Sequence, residues 1–419
     1  MSFTLILLSA AAIVVSMPAL VLGCECLLAM LPLRRDRRSE QVERPSLAVV
    51  VPAHNEEAGI AHTIDAILPQ LTESDRLIVI ADNCVDQTAA VARDLGATVL
   101  ERVDDERRGK GYAIRYALDH LAADPPQVVV SVDADCLPLP GCVERVARAA
   151  HATGNPMQAA YIMQPPNQAS PGTLISAFAV IVKNYVRPRG LQRIGMPCLI
   201  TGSGIAYPWS LLRAVPHPES HIVEDMHYSV DLALAGHPPL PCMEALVESP
   251  LPDSQQAART QRTRWEHGHL SVIQSQGPRL LLGALRQRSL KLLVMWLELV
   301  VPPLSLLVFA MVGAGAAIMV ASWLVASWLP IGVYLLIALV GILGLSSAWW
   351  RFGRRALPAA RLLSIPQYVL GKLSIYTKFV SAREQDWVRT ARDAEPIAGV
   401  TGPHYGATET PAEKTSAAE

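Results

Sequence analysis

The sequence predicts an α/β nucleotide-binding domain with a mostly parallel, doubly wound sheet, flanked by transmembrane helices. Three observations predict it. Between Ser46 and Val132, short β-branched runs alternate with amphipathic stretches, the rhythm of a parallel sheet with crossover helices. Polar and acidic residues follow those runs at the strand ends, where open α/β sheets bind ligands. Apolar runs at 3–33, Leu304–Leu324 and Ile331–Trp350 are long enough to cross a bilayer.

In chain order, Leu47–Pro52 reads as the first strand, entering Ala53-His54-Asn55-Glu56-Glu57 and a helix to about Leu71. Arg76–Ala81 is a second strand ending in Asp82-Asn83-Cys84, and a helix from Ala89 to Leu95 leads to the strand Thr98–Leu100. Arg107-Arg108-Gly109-Lys110-Gly111 opens a helix to about Leu121, and Val128–Val132 drives into Asp133-Ala134-Asp135. Two carboxylates so close call for a cation, and a hard divalent ion with oxygen ligands suits them. From that tripeptide alone, a loop cap explains Asp135 almost as well. The sheet topology adds weight, because it gathers Asn55, Glu57, Asp82, Lys110, Asp133 and Asp135 along one edge.

The 419 residues carry a net charge of −1, so no basic footprint for nucleic acid is present. Hydrophobic content is 51% and charged content 17%, against about 25% charged in typical soluble domains. Seven cysteines occur without a Cys-x-x-Cys pair, which suits free thiols in a reducing compartment. Residues 1–33 form an N-terminal anchor followed by Arg34, Arg35, Arg37 and Arg38, which places residues 46–280 in the cytoplasm. The region 290–350 returns to the membrane. Leu292–Val301, stopped by Pro302-Pro303, is either an interfacial helix or a kinked span. Trp323, Trp328, Trp349 and Trp350 fall near the expected interfaces. Residues 356–395 read as an amphipathic surface segment, and 396–419 as a disordered tail.

The motifs Pro52-Ala53-His54-Asn55-Glu56-Glu57, the Asp82 loop, Asp133-Ala134-Asp135, and Glu224-Asp225 followed by Gln261-x-x-Arg264-Trp265 occur in this order. Together with the flanking apolar runs they resemble membrane-integrated, inverting family 2 glycosyltransferases of GT-A fold, the branch with cellulose, hyaluronan and ceramide-glucosyl synthases. Val223 stands where that family often has threonine, but both carboxylates remain. The resemblance implies a nucleotide-sugar donor, a divalent Mg2+ or Mn2+ cofactor, and a multi-pass protein of the inner (plasma) membrane. It implies donor contacts from Pro52, Asn55, Glu57, Asp82, Lys110, Asp133 and Arg264, with Asp135 on the metal. It implies Asp225 as the base, and Gly202, Glu224, Gln261 and Trp265 on the acceptor side.

Three functions fit. The leading one transfers a single sugar to a lipid-linked saccharide or glycolipid in cell-envelope or exopolysaccharide synthesis, with or without partner subunits. The alternatives are a processive polysaccharide synthase and a non-catalytic nucleotide-sugar-binding subunit. Arg108-Gly109-Lys110-Gly111 lacks the spacing of a phosphate-binding P-loop, and Thr201-Gly202-Ser203-Gly204 lacks that of a nucleophile elbow. His267 and His269 are two apart and make a poor metal pair on a helix.

Overall fold

The computed structural model describes residues 3–33, 39, 41–218, 223–252 and 254–381. The arginine cluster at 34–38, Ile222 and the expected tail lie outside them. Strand β1 (Leu47–Ala53) is followed by α2 (Ile60–Ile67), β2 (Arg76–Asp82), α3 (Thr88–Asp94), β3 (Thr98–Arg102), α4 (Lys110–Leu121) and β4 (Val128–Ser131). These agree with the sequence-based elements to within a few residues. β1 runs parallel to β2 and β4, and β3 parallel to β2. Side-chain alternation then divides each strand. Val49 and Val51 pack with Ile60 and Ile64 of α2, whereas Ala48 and Val50 pack with Ala113 and Leu121 of α4. Both faces are covered, which is why these strands are continuously apolar.

The second half extends the same sheet. It adds β5 (Leu137–Pro138), α5 (Cys142–Thr153), β6 (Met157–Gln164) and α6 (Pro171–Ile181). A π-helical turn, Val182–Val186, joins α6 to α7 (Arg187–Arg193). Then come β7 (Ile205–Pro208), α8 (Trp209–Ala214), α9 (Glu224–Leu234), β8 (Leu240–Pro250) and α10 (Gln255–Arg286). Among the described residues, the sheet order is β3-β2-β1-β4-β7-β6-β8-β5. β7 is antiparallel to both β4 and β6, so the sheet is mostly, not wholly, parallel.

Among the described residues, three helices are long and apolar enough to cross a membrane: Phe3–Leu28 (α1), Leu304–Leu324 (α12), and Leu329–Gly353, which comprises α13 (Leu329–Ala348) and a terminal π turn. At Leu292–Val301 the structure has a short helix. Helix α11 (Leu290–Leu299) has only 10 residues and buries Leu292, Met295 and Leu299 against Met226 and Val272 of the α/β domain. It is an amphipathic packing helix. Of the stretch 356–395, expected to be an amphipathic surface segment, the described residues to Ser381 form three short pieces: a 3-10 turn (Ala359–Ser364), α14 (Ile365–Gly371) and α15 (Leu373–Ser381); the rest lies outside the described residues. Trp323, Trp328 and Trp350 are exposed, while the indole N–H of Trp349 donates to the Leu357 carbonyl at 2.9 Å.

Small residues let the membrane helices touch. A Cβ placed on Gly344 would lie 2.5 Å from the Gly23 carbonyl oxygen, and one on Gly23 2.6 Å from the Val340 carbonyl oxygen. Such close backbones are the small-residue packing of helices in lipid. Arg187 of α7 forms a buried ion pair with Glu25 of α1, tying α1 to the α/β domain. Gly344→Ala should therefore lower the thermal midpoint, costing about 1–3 kcal/mol by overpacking. Gly332→Ala, in the same helix with open space around it, should not; differential scanning fluorimetry in detergent reads both.

Candidate active site

The strand ends meet at Lys110. Helix α4 begins there, just after Gly109 at φ 124, and the lysine reaches the loop that follows β4 and the turn that precedes β7. Its Nζ lies 2.8 Å from Asp133 Oδ1 and 3.3 Å from Asp225 Oδ2, and donates to the Gly202 carbonyl at 2.6 Å. Burial alone would pull the ammonium's pKa down, but Asp133, Asp225 and Glu224 outweigh it and hold it well above the usual value. The positions expected to supply phosphate contact, sugar contact, base and acceptor turn thus share one cluster. Lys110, expected to face the donor phosphates, is bound here to two acids.

The glycine-rich turn explains how the cluster is assembled. Gly202 adopts φ 120 and Gly204 φ 73, a backbone region that side chains disfavour. A Cβ on Gly204 would also strike Val247 at 2.5 Å. Between them, Ser203 Oγ accepts the Asp133 amide proton at 3.1 Å and fixes the strand end.

Asp133, Asp135 and Cys136 bring one ligand atom each to within 4.8 Å of one another. The two carboxylates fit a hard divalent ion. Burial pushes the Cys136 thiol well up, so the sulfur keeps its proton and suits that ion poorly. Burial also raises Asp133, with Lys110 opposing and Asp135 and Asp225 reinforcing. That mutual repulsion is what a bound cation relieves.

Asp82 ends β2 and is 6% exposed. Burial raises its pKa, and Arg102 opposes the rise. Arg102 Nη1 donates to Asp82 Oδ1 at 2.6 Å while its guanidinium lies over Tyr112. One carboxylate oxygen is therefore already engaged. Asn55 and Glu57 do not join the cavity wall. Asn55, at φ 55, accepts from the Val85 amide at 2.8 Å, and Glu57 accepts from the Gln87 amide at 2.9 Å. Both brace the β1 loop against the β2 loop. Glu56, between them, lines the cavity instead. Sequence reasoning passed over Glu56 and Arg102; a basic residue ending the strand beside Asp82 was the available signal for the latter.

A cavity of about 1040 Å³ opens from this cluster. Pro52, Asp82, Lys110, Asp133 and Asp135 line it, together with Gly202, Glu224 and Asp225. Gln261, Arg264 and Trp265 of α10 join the wall, as do Leu304, Val308 and Leu345 of the long apolar helices. Trp265 also packs against the main core, so only part of its surface is available to a ligand. His267 and His269 bond through Nε2 to the carbonyls of Ile375 (2.9 Å) and Leu299 (3.1 Å), and His269 also lines the cavity.

Comparison with known families agrees with this geometry. Residues 45–268 match the family described as "Glycosyltransferase like family 2", more than half of the chain, and the chain belongs to that family. The 4,4'-diaponeurosporenoate glycosyltransferases of Staphylococcus aureus strains bovine RF122 / ET3-1 and MRSA252 are 39% and 38% identical to it over 93 residues. That match spans 22% of this chain and 24% of each relative's length. The structure resembles a mannosyltransferase of Pyrobaculum calidifontis solved with GDP-Man and Mn2+, with TM-score 0.52 and 17% identity. The likeness covers 90% of this chain and 100% of that one and places the domain in the GT-A fold.

Glu224 yields a pH prediction. Burial, then the Asp225 charge, pushes its carboxyl well above the usual range, with Lys110 opposing. The unfolded chain loses that proton near pH ~4.3. Between there and the raised value the folded state binds the extra proton, so stability falls as pH climbs. Glu224→Gln removes the dependence: its thermal midpoint should equal wild type at pH 4 and exceed it at pH 8, by about 1 kcal/mol once solvent screening is discounted.

Proposed function

We propose that the protein is an inverting hexosyltransferase moving one sugar from a nucleotide-diphosphate donor, a UDP-sugar in the first instance, to an amphipathic acceptor held in the membrane. The observation that carries this reading is the single cavity joining the Asp133–Asp135 cluster to apolar residues of the spanning helices. A soluble acceptor would not need that wall. The staphylococcal relative is named for a lipid-like carotenoid acid, which supports an acceptor of the same physical kind. Transfer of one sugar is favoured over polymer extrusion, because three spans offer little wall for a channel. The catalytic domain faces the cytoplasm of an inner membrane in this reading, where nucleotide sugars are made.

In the mechanism, Asp82 and the Pro52–Ala53 backbone hold the nucleoside. Arg264 and Lys110 face the diphosphate, Arg264 with a planar fork suited to phosphate oxygens. A divalent cation held by Asp135, with Asp133 beside it, would supply Lewis-acid stabilisation of the leaving diphosphate. Asp225 takes the proton from the acceptor hydroxyl as that oxygen attacks the anomeric carbon. Lys110 keeps Asp225 beside the sugar through their 3.3 Å contact. Gly202 leaves room on the acceptor side, since a Cβ there would reach 3.9 Å from Asp225 Oδ2. Trp265 offers a ring edge to the acceptor.

Two measurements test the reading. Asp225→Asn should reduce turnover of labelled nucleotide sugar by about 10²–10⁴-fold with donor binding retained; unchanged turnover would remove Asp225 from its role. Chelation with EDTA should abolish transfer and Mn2+ or Mg2+ should restore it, read as released nucleoside diphosphate. Activity that survives exhaustive chelation would remove the cation from the scheme.

A further inference from the structure

The lysines and arginines lining the cavity are, with one exception, already engaged. Lys110 sits between Asp133 and Asp225, Arg187 pairs with Glu25, Lys372 with Glu266 and Arg108 with Asp105. Arg262 donates to Ser176 Oγ at 3.0 Å, and Arg264 has a partner too. Lys183 lines the cavity, yet among the described residues it has neither an ion pair nor a hydrogen bond. It lies on the π-helical turn between α6 and α7, and such turns inside helices concentrate at functional sites.

Its surroundings make the lone charge expensive. Ile175 and Phe178 of α6 line the same cavity, with Leu304, Val308 and Val369. Burial lowers the Lys183 ammonium to about 8, Arg187 adds to this, and Glu298 and Glu266 oppose it. Neither acid makes an ion pair with it: Glu266 pairs with Lys372, and Glu298 accepts the Leu199 amide proton at 2.9 Å. A buried cation with no directly paired anion is costly, and this one lines a cavity large enough for a lipid head and chain.

We propose that Lys183 holds an anionic group, a carboxylate or a phosphate, on an amphipathic acceptor whose apolar chain lies among Leu304, Val308, Leu345 and Val369. The proposal rests on reading this cavity as the acceptor site of a sugar transferase. It makes Lys183 a specificity-determining residue that separates acidic lipids from neutral ones of equal length.

The test uses the full chain in nanodiscs of uncharged lipid, with equilibrium binding of oleic acid, oleyl phosphate and oleyl alcohol. Wild type should bind the acid or the phosphate at least about tenfold more tightly than the alcohol, the size of a charge-assisted contact. Which of the two is preferred distinguishes a carboxylate from a phosphate. Lys183→Gln should erase the preference and Lys183→Arg keep it, with nucleoside diphosphate binding unchanged in both as the check on folding. A wild type without preference, or a Lys183→Gln protein that retains it, overturns the proposal. If wild type shows the preference but consumes no nucleotide sugar with any lipid, the transferase reading fails while the Lys183 site stands. If it consumes donor without the preference, the Lys183 proposal alone falls.

Discussion

Lys110 is held by carboxylates from two distant parts of the chain, Asp133 after β4 and Asp225 at the start of α9, and much of the site depends on that arrangement. Without a cation there, Asp133, Asp135, Glu224 and Asp225 would repel one another across the mouth of the cavity. With it, the glycine turn at 201–204 can close against the strand end, and its carbonyl gains a charged donor. The same contact orients Asp225. One lysine therefore couples the folding of the sheet edge to the geometry of the chemistry. A bound cation at Asp135 would share that electrostatic load when donor arrives.

A second constraint comes from the membrane side. Gly23 and Gly344 bring α1 against α13 at backbone contact, and the Glu25–Arg187 pair fastens α1 to α7. The π turn that carries Lys183 immediately precedes α7. The first span therefore helps to position the far wall of the cavity as well as anchoring the chain. Val301, Pro302 and Pro303 after α11 and the pieces after Leu357 complete the wall, with Lys372 reaching back to Glu266.

Much of the domain was legible because buried parallel strands are continuous β-branched runs, as in Val128-Val129-Val130, and because their C-terminal loops must share one edge. That rule alone grouped Asp82, Lys110, Asp133 and Asp135. Side-chain direction within loops was not legible. Asn55 takes a positive φ, and it and Glu57 turn to the neighbouring loop, leaving Glu56 to face the cavity. Hydropathy could not decide between a span and a packing helix at Leu292–Val301, since both bury apolar residues. Lys183 was invisible for a related reason: inside the run from Leu174 to Val186 it reads as an isolated break in a core helix. Only the cavity gives it a context.

The most direct test of the central claim, a single displacement in one cavity running from the carboxylate cluster to the spanning helices, is the structure of the product. The full chain in nanodiscs, given an α-linked nucleotide sugar labelled with carbon-13 and a membrane-soluble acceptor, should yield one β-linked sugar per acceptor, read from the anomeric coupling constant by NMR. An α-linked product, or a chain of sugars on each acceptor, would contradict the account.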